Sequence, residues 1–329
     1  MILQTAKVEK WKSGDVQEWK AEPSEFQRIA DVVTLICQHL GIKCSLGCQM
    51  KDLTTLEVGG AIVAVVFPKN ARSALQLVQR LVEEEIAWAP LGLGTNIVAT
   101  DQFHHRVAVS LREFYGTPSI EGPVVQVPAG LSLPALIHVT AEVGLSGLEG
   151  LSGLSGSVGG ALKRNVWAYG HEIGAVARSV TVLSSEGIRT LSQEQVGFAP
   201  GRSTIRDDEM ILTAAFQLAS GDRAHITRTI ARYRKAYLDH HPLSERSLGG
   251  VFENPPGQSA GRIIDELGLK GLTRGGAVVS EAHANYIVNR GNATATDVLE
   301  LMEAVRRTVL SLRRIQLRDH VKVWKEENA

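Results

Sequence analysis

Apolar positions along the chain change period repeatedly, and each change marks an expected element. Ser24-Glu25-Phe26-Gln27 has the capping-box pattern, and Ile29, Val32, Ile36 and Leu40 follow at helical spacing until Gly41. A continuous apolar run, Ala61 to Phe67, then predicts a strand. Asn70 caps a helix from about Ala71 to Glu85, and Ile86 to Pro90 predicts a strand running into Gly92-Leu93-Gly94-Thr95-Asn96. Further strands are expected at Val107 to Leu111 and Val124 to Pro128, before a Ser132-capped helix that stops at Gly144.

Ser179 to Leu183 and Ile188 to Leu191 flank Ser184-Ser185-Glu186-Gly187 as a hairpin, and Ile211 to Leu218 reads as another strand. Gly221-Asp222 marks a boundary. Beyond it the pattern predicts a basic helix from Arg223 to about Leu238, a Gly/Pro-rich loop over 247–257, a helix near Ala260 to Leu267 and a strand at Ala284 to Asn289. A long final helix carries Val298, Met302, Val305, Val309 and Leu312 on one face. Residues 1–23, with Trp11 and Trp19 among lysines and acids, keep no period and read as an arm laid on the body.

With 329 residues and 44% hydrophobic content, the chain is long enough for two or three packed units with a real core. Its 35 Lys and Arg balance 35 Asp and Glu, so no overall field favours nucleic acid or an anionic membrane. The basic residues of the predicted helix (Arg223, Arg228, Arg232, Arg234, Lys235) read as a solvated face. The first residues contain no apolar signal region, and Ala61 to Phe67, the longest apolar run, is too short to cross a bilayer; a cytoplasmic protein is expected. Cys37, Cys44 and Cys48 do not form a disulfide framework for a chain of this size, and no second ligand pair supports a metal at Cys44 and Cys48. Adjacent His240 and His241 point different ways from a helix end and read as solvated or hydrogen-bonded; no metal site is expected.

The stretch GLSGLEGLSGLSGSVGG places glycine at 144, 147, 150, 153, 156 and 159, and adds Gly160. It has no proline, which excludes collagen, and its Leu and Val series excludes a flexible linker. Two explanations stay open: tight turns in a dense β structure, or main-chain N–H groups that approach an anionic cofactor closely. The second glycine loop, Gly92 to Asn96, is only G-x-G and follows the second strand of its unit, so a Rossmann fingerprint is a poor match. Two glycine loops nevertheless suit a pyrophosphate held from both sides.

From about Thr54 to Val323 the sequence resembles the UDP-N-acetylmuramate dehydrogenase family of flavoprotein reductases. Thr54-Thr55-Leu56-Glu57-Val58-Gly59-Gly60 and Leu91 to Asp101 look like its first flavin-binding segments, and GLEGLSGLSGSVGGALKRNVWAYGHEI (147–173) like its long flavin loop. GGVFENP (249–255) and GLKGLTRGGAVVSEAHANYIVN (268–289) resemble the substrate-domain signature. The resemblance implies an α+β fold: an FAD-binding domain of the vanillyl-alcohol-oxidase type over 24–220, with parts at about 24–113 and 114–220, and an α+β substrate-binding domain over 221–329. It implies FAD held by Gly92, Leu93, Gly94, Thr95, Asn96, Gly153, Gly156, Ser157, Val158, Gly159, Gly160, Asn165 and Tyr169, with N–H groups from Gly156, Ser157, Gly159 and Gly160. NADPH reduction and a nucleotide-sugar substrate of peptidoglycan synthesis, UDP-N-acetylglucosamine enolpyruvate, follow from the same resemblance. Lys270, Glu281, His283 and Asn285 lie in its substrate-domain segment, near the nucleotide.

The chemistry carries over only in part. The family's Tyr-Arg-x-Ser reads Gly201-Arg202-Ser203-Thr204, so Arg202 survives without the tyrosine. The proton-donating serine is Gly250 in Gly249-Gly250-Val251-Phe252-Glu253-Asn254-Pro255, and the glutamate is His320 in Leu317-Arg318-Asp319-His320-Val321. As an imidazolium, His320 is the obvious replacement acid; Ser247 and a bound water are the others. Three expectations follow: a reductase with an altered proton donor, a paralogous flavin oxidoreductase on another substrate, and a flavin-binding protein without catalysis.

Overall fold

The computed structural model describes residues 23–114, 116–242 and 244–325. The arm expected over 1–23 lies outside them except for Pro23, which opens the helix Pro23–Leu40. That helix buries Ile29, Ala30, Val33 and Cys37, so its buried stripe runs one residue off the expected Val32 and Ile36, which are half-buried. Asn70 caps the helix Ala71–Glu83 in a capping box with Ser73, and the Ser132 side chain accepts from Ala135 N–H at 3.3 Å at the start of Leu133–Glu142.

The first sheet has four strands in the order Lys43–Gln49, Ala61–Phe67, His104–Ser110 and Ala87–Leu91. Ala61–Phe67 pairs antiparallel with the first and parallel with the third, which itself pairs parallel with Ala87–Leu91. Ala61–Phe67 packs Val63 and Val66 against the two helices and Ile62 and Val65 into a second core on its other face. Burial on both faces is why it reads as an unbroken apolar run. Its polar neighbour Lys43–Gln49 (KCSLGCQ) is an edge strand with no alternation to reveal it.

The second sheet is antiparallel, in the order Gly187–Ser192, Ala177–Ser184, Met210–Gln217, Val124–Pro128, Ser119–Glu121. The expected hairpin is present, closed where Ser184 pairs with Gly187. The third layer is a three-stranded antiparallel sheet, Thr273–Arg274, Ala277–Val279 and Ile287–Asn289, packed with the helices Ala260–Glu266 and Ala295–Arg313. The strand expected from Ala284 begins only at Ile287, because Ser280–Tyr286 folds back through Tyr286 N–H to His283 O. On the final helix Val298, Met302, Val305 and Val309 are buried, but Leu312 is exposed in its last turn.

The layers are tied to one another. Leu56, Val58 and Val98 of the first unit enter the C-terminal core, and Lys322–Trp324 returns to pair in parallel with Ile97–Ala99. Asp101 accepts from Ala295 N–H (2.8 Å), Thr296 N–H (2.9 Å) and the Thr296 hydroxyl (2.9 Å), capping the final helix across the interface. The basic helix Arg223–Leu238 packs against Glu149–Leu151 and Leu133–Glu142. The boundary expected at Gly221-Asp222 therefore separates this helix from the elements it lies on.

Candidate active site

A cavity of about 2580 Å³ opens where the three layers meet. Both glycine loops reach it: Gly92 to Asn96 from one side, and Gly156, Ser157, Gly159 and Gly160 from the other. They touch each other. A methyl on Gly92 would fall 2.8 Å from the Ser157 hydroxyl, and one on Gly156 would fall 3.2 Å from the Thr95 hydroxyl. Gly94 has φ +71° and lies so close to the Leu53 carbonyl that no other residue fits.

The ladder does not act as one cradle. Gly153 lies away from the cavity and packs on the Tyr237 ring, where a Cβ would be 2.2 Å from Cγ; Gly150 packs likewise on His171. Val158 is fully buried in the core, its N–H bound to Leu131 O at 2.8 Å. Gly159 N–H is used by Ala129 O (2.9 Å) and Gly160 N–H by the Ser157 hydroxyl (3.2 Å), which among the expected donors leaves the amides of Gly156 and Ser157. Asn165 is also committed within the protein: buried, it donates to Ala199 O (3.0 Å) and Glu172 Oε2 (3.3 Å) and accepts from Gly174 N–H (2.9 Å). It shapes the cavity wall and has no side-chain atom to spare. Tyr169 is 39% exposed at the rim and stacks on Tyr233 with centroids 5.0 Å apart.

The C-terminal wall brings the expected catalytic positions together. His320 Nδ1 lies 3.2 Å from Gly250 O, and a Cβ on Gly201 would fall 3.7 Å from the His320 ring. The three positions that depart from the family pattern, Gly201, Gly250 and His320, therefore form one contiguous patch. Arg202, next to Gly201, is exposed into the cavity. The patch is joined to the first glycine loop: Asn96 Nδ2 donates to His320 O (3.1 Å), and Lys322 N–H to Asn96 O (3.0 Å).

Arg164 was not expected from the sequence. It lines the cavity and donates to His320 O, yet its Nε is buried and, among the described residues, unpartnered; so is Asn96 Oδ1. Its place after Lys163 at the end of the short helix Val158–Lys163 reads as ordinary helix-end charge, so nothing in the sequence distinguishes it. Burial, and then the Arg164 guanidinium, push the His320 imidazole down to about 4, against the Gly250 carbonyl. His320 is thus neutral near pH 7, and the imidazolium expected there is not formed. Burial raises the Asp207 carboxyl, but hydrogen bonds from Lys322 and Lys163 outweigh it and hold the group below its ordinary value.

Residues 62–192 match a family described as FAD binding domain, and 241–324 match one described as the C-terminal domain of UDP-N-acetylenolpyruvoylglucosamine reductase. A UDP-N-acetylenolpyruvoylglucosamine reductase from Syntrophus aciditrophicus is 37% identical over 279 residues, covering 83% of this chain and 89% of that protein. The chain belongs to the UDP-N-acetylenolpyruvoylglucosamine reductase family. A second reductase of that name, from Heliobacterium modesticaldum, is 35% identical over 277 residues, covering 83% and 88%. The crystal structure of the UDP-N-acetylenolpyruvylglucosamine reductase from Thermus caldophilus superposes with a TM-score of 0.74 at 33% identity, over 86% of this chain and 99% of that one. The α+β architecture, with an FAD-binding domain followed by the reductase family's C-terminal domain, is therefore shown for this chain.

Proposed function

We propose that this chain is an FAD- and NADPH-dependent reductase of UDP-N-acetylglucosamine enolpyruvate, acting in the cytoplasm on the way to peptidoglycan. One observation carries the reading: both glycine loops and the Gly201–Gly250–His320 patch line the same cavity. The donors fit a flavin nucleotide. The amides of Gly156 and Ser157 and the loop Gly92 to Asn96 suit its diphosphate, and the buried, unpartnered Asn96 Oδ1 and Arg164 Nε are polar atoms that a ligand would satisfy. Bound there, the flavin would supply hydride exchange between nicotinamide and substrate. Arg202 and Arg164 put positive charge where an enolate or carboxylate would be held. No helix of the described residues is long and apolar enough to cross a membrane.

The test is anaerobic. Protein loaded with FAD is bleached with NADPH, then mixed with the enolpyruvyl nucleotide sugar; return of the oxidised flavin spectrum is expected, and a flavin that stays bleached refutes the assignment. A second reading, a family member with a different substrate, is favoured by the contiguous patch. Gly250 has no side chain and His320 is neutral, so the wall lacks an acid at the place where the family has one. Faster reoxidation of the same bleached protein by another alkene or carbonyl compound would select that reading.

A further inference from the structure

Beside the patch stands a cluster that none of this chemistry uses. Tyr237 stacks face to face on His241 (centroids 3.7 Å, 2°), His241 stacks on His283 (4.8 Å, 19°), and Tyr286 closes the group edge-on. The two tyrosine hydroxyls share a hydrogen bond of 2.7 Å. All four side chains line the cavity. Asn285 ties them to the patch: its N–H bonds His283 Nδ1 (3.2 Å), its carbonyl accepts from Val251 N–H (2.9 Å), and its Nδ2 would lie 3.0 Å from a Cβ on Gly250.

The partners assign the tautomers. His241 Nδ1 lies 2.9 Å from Tyr237 O, which can only accept, so this nitrogen carries the proton and Nε2 keeps a lone pair. His283 Nδ1 accepts a main-chain N–H, so its proton is on Nε2. Neither Nε2 has a partner among the described residues, and neither is among the fully buried unpartnered atoms, so both keep accessible surface on residues that line the cavity. Burial lowers both imidazoles, His283 to about 4, so the pair stays neutral and gives no attraction for phosphate.

We propose that His241 and His283 form a neutral acceptor–donor pair that reads the edge of a cis amide or imide, an N–H beside a C=O pointing the same way. His241 Nε2 accepts the N–H, and His283 Nε2–H donates to the carbonyl. Rings stacked 4.8 Å apart suit an edge whose two groups point in one direction, and do not suit an acetamido group, whose N–H and C=O point oppositely. Two parts of the proposed ligands carry such an edge: the uracil of the nucleotide sugar and the carboxamide of the nicotinamide. The uracil source rests on the reductase reading given above.

Calorimetric titration of the FAD-loaded protein tests this without turnover. UDP is compared with CDP, whose base reverses the order of donor and acceptor, and nicotinamide mononucleotide with nicotinic acid mononucleotide. An amide ligand should bind roughly tenfold or more tighter than its partner, because the mismatch leaves polar groups unpaired. His241→Phe and His283→Phe keep the stack but remove the polar atoms, and should bring that ratio close to one. Discrimination within the first pair assigns the wall to uracil, within the second to the carboxamide. Absence of discrimination in both pairs, or ratios unchanged in both variants, overturns the proposal. Histidine ¹⁵N spectra of the unsubstituted protein guard against misfolded variants: both Nε2 resonances should shift on adding the preferred ligand, and unmoved resonances overturn the proposal equally. Failure of the bleached flavin to reoxidise would refute the reductase reading and leave the nicotinamide comparison to decide this one.

Discussion

Gly250→Ser tests whether the missing acid limits the reaction. The backbone at 250 lies outside the left-handed region, so a side chain is not strained there. Its Cβ would meet Asn285 Nδ2 at 3.0 Å, with the next atoms at 3.8 and 4.0 Å. Asn285 has to give by a few tenths of an ångström against its bond to Phe252 O, a cost of about 1 kcal/mol. A positioned acid contributes about 10² to 10⁴ in rate, or roughly 3 to 5 kcal/mol of barrier, so the gain exceeds the cost. Stopped-flow reoxidation of bleached protein by the enolpyruvyl nucleotide sugar should be about a hundredfold or more faster in Gly250→Ser than in the parent. Gly250→Ala, with the same Cβ and no hydroxyl, should match the parent or fall below it. Equal rates for the serine and alanine variants, both folded and flavin-loaded, would show that an acid already stands elsewhere and would refute the reasoning.

Three further outcomes follow from the packing. Because burial holds His241, His283 and His320 below their ordinary value, with His283 and His320 at about 4, the unfolded chain takes up protons first as pH falls. The melting temperature should be flat above about pH 7.5 and decline from about 6.5 toward 4; a rise on acidification contradicts these environments. Gly153→Ala pushes a Cβ into the Tyr237 ring and should cost about 1–3 kcal/mol in urea unfolding, whereas an unchanged midpoint would deny that contact. Asp101→Ala removes the cap that joins the final helix to the first unit and should lower the unfolding free energy by about 1–2 kcal/mol, an effect absent if the cap is not formed in solution.

Local chemistry was legible wherever a residue decides its own geometry. Asn70 and Ser132 cap the helices they were expected to cap, and the hairpin closes at Ser184 and Gly187. What stayed hidden depends on partners distant in sequence. Lys43–Gln49 is a strand only because Ala61–Phe67 lies beside it, and Lys322–Trp324 only because Ile97–Ala99 does. The glycine ladder shows the same limit within one motif. Its regular spacing invited a single purpose, but Gly153 makes room for Tyr237, Gly156 lets the ladder meet the other glycine loop at Thr95, and Gly159 sits against Ala129. Nothing in the spacing distinguishes a glycine that admits a ring from one that faces a cavity. Arg164 and the stacking of Tyr237, His241, His283 and Tyr286 were missed for this reason too: His283 was expected near the nucleotide, but nothing in the sequence joins it to His241 before the fold assembles them.

The contact between Gly201, His320 and Gly250 turns three separate departures into one question of coupling. Gly201 has φ +70°, and a side chain there costs about 1–2 kcal/mol before any contact is counted. A tyrosine at 201 must also find room beside the His320 ring, which lies 3.7 Å from the Cβ position. Gly201→Tyr alone should therefore destabilise by more than the backbone term. His320→Glu removes that ring and places a carboxylate within the field of the Arg164 guanidinium, which now depresses the imidazole. If the patch was remodelled as a unit, the double variant will be less destabilised than the sum of the single ones by about 1 kcal/mol or more, as residues in contact usually are when they share one space. Denaturation of the four proteins measures this directly. Additivity within about 0.5 kcal/mol would mean that the positions changed independently, and the patch would then give no support to a change of substrate.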